Sequence, residues 1–208
     1  MPLSSPVARQ KLHTRRIIIE GYERDDGNFD VEAHLTDIKP FEIDNEDEGM
    51  LPAGKPLHEM WVRLTFDERM TIIGAEACTD HGPYQACAAG AAAYERLVGL
   101  RIKAGFLREA NSRMAGPHGC THHREMLQEI ATTALQSMWP ARERRYKAAR
   151  AAAAPEEEAV MAAKAKEAEA REASRMVDTC IAYAADGAVV RKRWPGLHAG
   201  AAEVARAE

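Results

Sequence analysis

Aromatic residues make up only 6% of this 208-residue chain, although 46% of its residues are hydrophobic. No run reaches the ~18 consecutive apolar residues of a membrane-spanning helix, which argues against a membrane partner. Neither sign of charge dominates. Lys and Arg number 28 against 32 Asp and Glu, for a net charge of -4. Such a balance does not suit a general binder of phosphate backbones, so no nucleic-acid partner is expected. Cysteine is scarce: Cys78, Cys87, Cys120 and Cys180 follow no CxxC spacing. Residues 1–10 lack a signal-peptide apolar core, so the thiols read as reduced and the protein as cytoplasmic. Also missing are a P-loop, a dinucleotide fingerprint, a G-x-S-x-G elbow and an H-E-x-x-H pair. The length suits one domain with an appendage.

What is present begins with alternation. Arg16 to Arg24 is rich in β-branched and aromatic residues, and Asp25-Asp26-Gly27 signals a tight turn. From Asn28 to Asp37, Phe29, Val31, Ala33 and Leu35 fall on one face and Asp30, Glu32, His34 and Thr36 on the other. That period of two marks a half-buried strand and completes a hairpin. Residues 39–55, with two prolines, two glycines and the acid run Asp44 to Glu48, read as an exposed loop. A second hairpin spans Glu59 to Asp67 and Met70 to Asp80, with His58 sharing the parity of Met60, Val62 and Leu64. Four sequential strands suggest an antiparallel meander.

The middle of the chain turns helical. Helices are expected over Tyr84 to Leu97 and Phe106 to Met114. A third, capped at Thr121, carries Leu127, Ile130, Ala131, Ala134 and Met138 at helical spacing. From Arg142 to Met176 alanine and charged residues dominate, and Pro155 followed by three glutamates restarts a helix. This exposed arm inflates the hydrophobic count without adding core. Thr179 to Trp194, with Asp186-Gly187 in its middle, reads as a third hairpin that joins or covers the sheet. The expected fold is α+β: an antiparallel sheet of hairpins packed on central helices, with a projecting Ala-rich helical arm. One domain would comprise residues 10–140 and 177–196, residues 141–176 being an insertion and residues 1–9 and 197–208 flexible termini.

Three groups could carry chemistry. His34 with Asp37, plus His58, offers imidazoles whose pKa lies near neutrality and a carboxylate to orient them. Strand parity sets Asp37 opposite His34 unless the strand ends there. The bland alternatives are an exposed sheet histidine and a buried, hydrogen-bonded one. Gly119-Cys120-Thr121-His122 places a thiol at a helix N-terminus, where the dipole lowers its pKa, with His122 and Glu125 one turn apart. His123 falls nearer the apolar stripe and reads as packing. Cys87, Cys120, His122 and Cys180 could together hold tetrahedral zinc. Arg63 and Arg15-Arg16 could clamp a carboxylate or phenolate, and Tyr22 and Tyr84 could line an aromatic pocket. A lone strand arginine is more often a surface ion-pair partner, and a lone tyrosine more often packing.

The chain resembles a bacterial domain-of-unknown-function family, the one numbered 2889. The resemblance rests on His13-Thr14-Arg15, on Glu32 to Asp37 with Lys39-Pro40, on Leu57 to Trp61 and Arg63 to Thr65, on Ala75-Glu76-Ala77 and Pro83-Tyr84, and on Leu97 to Leu100 and Gly119 to His122. The stretch from Cys180 to Pro195 is also similar, but Ile181 stands where a histidine is expected, which weakens a metal site using that end. The resemblance implies company with genes of aromatic and acyl-CoA catabolism, an association and not a mechanism. His13, Arg15, His34, Asp37, His58, Glu76, Cys120 and His122 are the polar residues its motifs carry.

The resulting expectation is a cofactor-independent lyase or isomerase acting on a small aromatic, phenolic or carboxylate catabolite. His34, Asp37, His58 and His122 would be catalytic, and Arg15, Tyr22, Arg63, Glu76, Tyr84 and Cys120 would bind substrate. The alternatives are a metal-dependent enzyme using Cys120 and His122, with zinc as the cofactor, and a non-catalytic binding protein. The arm would serve homo-oligomer contacts.

Overall fold

A computed structural model describes residues 3–199. It divides into two units, with the boundary between Glu143 and Arg144. The first unit is α+β. Strands β1 (Thr14–Glu23), β2 (Phe29–Ile38), β5 (Pro56–Phe66) and β6 (Ile72–His81) form an antiparallel sheet in the order β1-β2-β5-β6. The four long strands are therefore the expected meander. Gly27, at φ 87°, makes the first turn, a conformation that glycine adopts without a Cβ clash.

Residues 39–55 differ from the expected loop. Ile43–Asn45 (β3) and Gly49–Leu51 (β4) pair as a small ribbon. Asn45 Oδ1 accepts the backbone N–H groups of Asp47 and Glu48 at 2.9 and 3.1 Å, which closes the turn locally. Asp47 of the acid run also accepts the Gln85 N–H at 2.7 Å.

The alternation in β2 and β5 sets the core. Phe29, Val31, Ala33 and Leu35 face Met60, Val62, Leu64 and Phe66 in one buried cluster. Helices cover that face: a 3-10 segment over Gln85–Leu97, α1 (Phe106–Arg113) and the first part of α2 (Thr121–Ala152). Met126, Leu127, Ile130, Ala134 and Met138 of α2 join the cluster, following the apolar stripe of the sequence. Each of the larger buried side chains contributes about 1.5–3 kcal/mol. The opposite face of the sheet carries alternate polar residues, as an antiparallel sheet permits.

In the second unit α3 (Pro155–Met176) starts on the expected proline. Glu157 accepts the Ala154 N–H at 3.4 Å, and Arg150 bonds Glu158 at 2.8 Å. The third hairpin is not formed: Ile181–Tyr183 and Pro195–Leu197 are 3-10 turns and α4 (Ala188–Arg193) is a helix. Gly187 sits at φ -78°, not in the left-handed region a tight hairpin turn needs. Its carbonyl accepts the Arg191 N–H instead, so Asp186-Gly187 starts a helix. Among the described residues no helix is long and apolar enough to cross a membrane. Most of the terminus expected to be flexible, residues 200–208, lies outside the described residues.

Gly21 lets α2 approach β1 closely, because a Cβ there would clash with Ser137 Oγ and meet Ser137 Cβ at 2.8 Å. At Gly74 the nearest contact would be an ordinary 3.4 Å. Gly21→Ala is expected to lower stability by about 1–3 kcal/mol through overpacking. Gly74→Ala should stay within about 0.5 kcal/mol of the parent. Urea denaturation of both variants checks the contrast.

Candidate functional site

The site grows out of strand register. Asp37 is the fifth inward residue of β2, after four apolar ones, and is 1% exposed. It lies opposite Arg15 of β1 and opposite His58 of β5, so one row crosses three strands. Arg15 grips the carboxylate with two hydrogen bonds, Nε to Oδ1 at 2.8 Å and Nη2 to Oδ2 at 2.7 Å. His13 Nε2 lies 2.9 Å from Oδ1. The remaining guanidinium nitrogen, Nη1, donates to Glu125 of α2 at 2.5 Å.

The start of α2 closes the row from above. The Cys120 carbonyl accepts the Arg124 N–H, so Cys120 and not Thr121 holds the cap position. His122, in the first turn, brings Nε2 to 4.0 Å from Asp37 Oδ2 and its ring to 3.9 Å from the His58 ring. His122 Nδ1 faces Cys120 Sγ at 3.9 Å. A Cβ at Gly90 would meet Cys120 Cβ at 2.8 Å, so that glycine admits the helix start against the 3-10 segment. His58 is 7% exposed, and its Nδ1 is 3.1 Å from Asp37 Oδ2 yet makes no aligned hydrogen bond.

These neighbours separate the ionisations. Burial pushes the Asp37 carboxyl up, but Arg15, His13 and His58 outweigh it and hold its pKa at about 2. Burial and the adjacent His122 push His58 down, against the pull of Asp37. The Cys120 sulfur pushes His122 up, against burial and Arg15. Burial raises the Cys120 thiol, but hydrogen bonds from the His122 and His123 rings and backbones prevail and bring it to about 5. Asp37, His58 and His122 each bring one ligand atom within 4.8 Å of the other two, a spacing that could hold a metal ion.

Not every expected residue is here. Register puts His34 on the other face of the sheet, against Trp61. The two rings stack at 3.5 Å, and Glu59 binds His34 at 3.1 Å. The expected pairing of His34 with Asp37 is therefore corrected by parity, and Glu59 is the carboxylate beside His34. Arg63 bonds Glu32 at 2.7 Å and Glu76 at 3.5 Å on that same outer face, and Tyr22 donates to Glu20 there. Tyr84 is exposed. None of these side chains belongs to the Asp37 cluster. Arg15 belongs to it, but its guanidinium grips Asp37 and Glu125. Of the expected zinc set Cys87, Cys120, His122 and Cys180, only His122 belongs to the metal-capable group among the described residues, and Cys180 is exposed. His123 is packing, as its spacing implied: fully buried, it stands edge-on to Tyr94, which donates to the His123 carbonyl at 2.6 Å.

The sequence placed His13 only among the motif residues and Glu125 only at ligand spacing from His122; neither was expected beside Arg15 and Asp37. His13 shares the parity of Arg15, and Glu125 follows His122 by one turn, so both signals were present.

A family model described as "Protein of unknown function (DUF2889)" matches residues 13–136, more than half of the chain. The chain belongs to the DUF2889 family. The match contains every member of the cluster from His13 to Glu125. No curated protein and no solved structure matches the chain.

Breaking the central ion pair tests how much of the fold rests on it. Asp37→Asn removes the charge that Arg15 and His13 grip, while Arg15 keeps Glu125, and should lower stability near neutral pH by about 2–3 kcal/mol. The Asp37 carboxyl is more acidic folded than unfolded, so its contribution is complete above its ordinary pKa and vanishes as pH falls through about 2. The gap in urea midpoint between wild type and Asp37→Asn should therefore narrow as pH drops from about 4 towards 2.

Proposed function

We propose that this chain is an enzyme that cleaves a C–O or C–C bond of a small aromatic or phenolic carboxylate by proton transfer at Asp37, His58 and His122. The observation that carries this reading is the buried His58 imidazole, with Nδ1 3.1 Å from the fixed Asp37 carboxylate and its ring 3.9 Å from the His122 ring. The opposed pKa directions of the two histidines support distinct roles, because paired groups driven apart make an acid and a base. His58, neutral, removes a proton from substrate carbon or hydroxyl. The electron pair forms the new double bond as the C–O or C–C bond breaks, and His122, protonated, returns a proton to the leaving oxygen or carbanion. Asp37 orients His58, and Arg15 holds Asp37 ionised. His34 has no part in this step.

A second reading rests on the donor set. Two imidazoles and a carboxylate within 4.8 Å suit a divalent ion, either zinc with an open position or ferrous iron. The residues fit. Asp37 Oδ1 is held by His13 and Arg15, and Oδ2, which also accepts Arg15 Nη2, faces the two histidines; such outer contacts orient metal ligands. Asp37, Glu125 and a Cys120 thiolate also outnumber the single charge of Arg15. When bound, the ion would polarise a substrate oxygen or activate water.

Two measurements separate the readings. Screened on hydroxylated aromatic carboxylates by product NMR, wild type should turn over a member of the set. His58→Gln and His122→Gln should lose about a hundredfold or more, while His34→Ala stays near wild type. Lost turnover in a folded His34→Ala, with His58→Gln active, would defeat the acid–base assignment. Purified protein incubated with Zn²⁺ or Fe²⁺ and desalted should retain about one equivalent under the metal reading, and His58→Gln should not. Retention below about a tenth of an equivalent removes that reading.

A further inference from the structure

Strand β1 is an edge with an unused side. It pairs with β2 along ten residues without a register shift. Among the described residues no backbone hydrogen bond reaches it from outside the sheet. Proteins usually blunt such edges with proline, bulges or short length. β1 has none of these; its only edge devices are charges, the inward Arg15 engaged by Asp37 and Glu125 and the outward Arg16 and Glu20, and it exposes Ile17 and Ile18, Ile18 being 54% accessible.

Its sequence is also a charge palindrome. Arg16-Ile17-Ile18-Ile19-Glu20 reads with opposite charges equidistant from Ile18. Two antiparallel copies related by a two-fold axis normal to the sheet must pair residues of the same face. With the axis at Ile18, Arg16 of each copy meets Glu20 of the other, Ile17 meets Ile19, and Ile18 meets itself. Moving the axis to Ile17 opposes Arg16 with Ile18 and loses both ion pairs. Moving it to Glu20 opposes Arg16 with Arg24. No ion pair or hydrogen bond engages Arg16 among the described residues, and Glu20 accepts only the Tyr22 hydroxyl, at 2.9 Å.

We propose that a second copy of this chain adds its β1 antiparallel to this one, centred on Ile18, to make a continuous eight-stranded sheet. Arg16 and Glu20 lie on the outer face, away from the Asp37 cluster, so the contact and the proposed chemistry can be tested separately.

Sedimentation of the full chain over a range up to about 100 μM should show a monomer–dimer equilibrium. Each single reversal, Arg16→Glu or Glu20→Arg, replaces two attractive cross-strand pairs with two repulsive ones and should raise the dimer Kd about tenfold or more. The double variant Arg16→Glu/Glu20→Arg restores both pairs and should return the Kd to wild type. Circular dichroism confirms that each variant is folded. A monomer throughout the range overturns the proposal. So does a dimer insensitive to the single reversals, including one lost only on deletion of residues 142–176.

Discussion

A carboxylate with 1% exposure, placed at the end of an apolar strand face, is the constraint on which the first unit depends. An unpaired charge in that position would be destabilising by several kcal/mol. Arg15 and His13 answer it, and they can do so only if β1 pairs with β2 in the observed register. A one-residue slip would turn Arg15 to the other face and bury its apolar neighbours' places with charge. His58 stands on the opposite side of the same carboxylate, so the β2–β5 register is tied to the same point. The ion pair thus specifies the sheet, while apolar burial supplies most of its stability. Glu125 carries the network to α2 through Arg15, while the buried Met126, Leu127 and Ile130 dock the helix that bears His122.

The hairpins of the sheet were legible because alternation and turn chemistry agreed. Asp25-Asp26-Gly27 lies between two alternating segments, and both propensities point the same way. Asp186-Gly187 shows the converse. The dipeptide resembles a hairpin turn, but it is followed by Ala188 to Arg193, a helical stretch, and its glycine takes φ -78°. The turn signal alone was insufficient without strands on both sides. The β3–β4 ribbon was illegible for another reason: its strands are three residues long, too short for a period of two to emerge from an acid-rich segment.

The site was legible in part. Parity assigned Asp37 and His58 to the buried side and His34 to the other, and the structure keeps that division. The attraction of a histidine three residues from an acid pointed instead to His34 with Asp37, which is a helical spacing and not a strand spacing. Arg15 was expected to grip a substrate anion. Its guanidinium geometry suits any carboxylate, and two internal ones hold it.

Local pattern therefore determined, from the sequence by itself, the four long strands, which face each turns to the core, and that Cys120 and His122 open a helix. Those properties depend on neighbours a few positions away. Only the tertiary structure decided that Arg15, Asp37 and His58 share one row and that His122 closes over it. Strand register and helix docking are set by contacts between distant segments, through the summed burial of the core and the pairing of one buried charge.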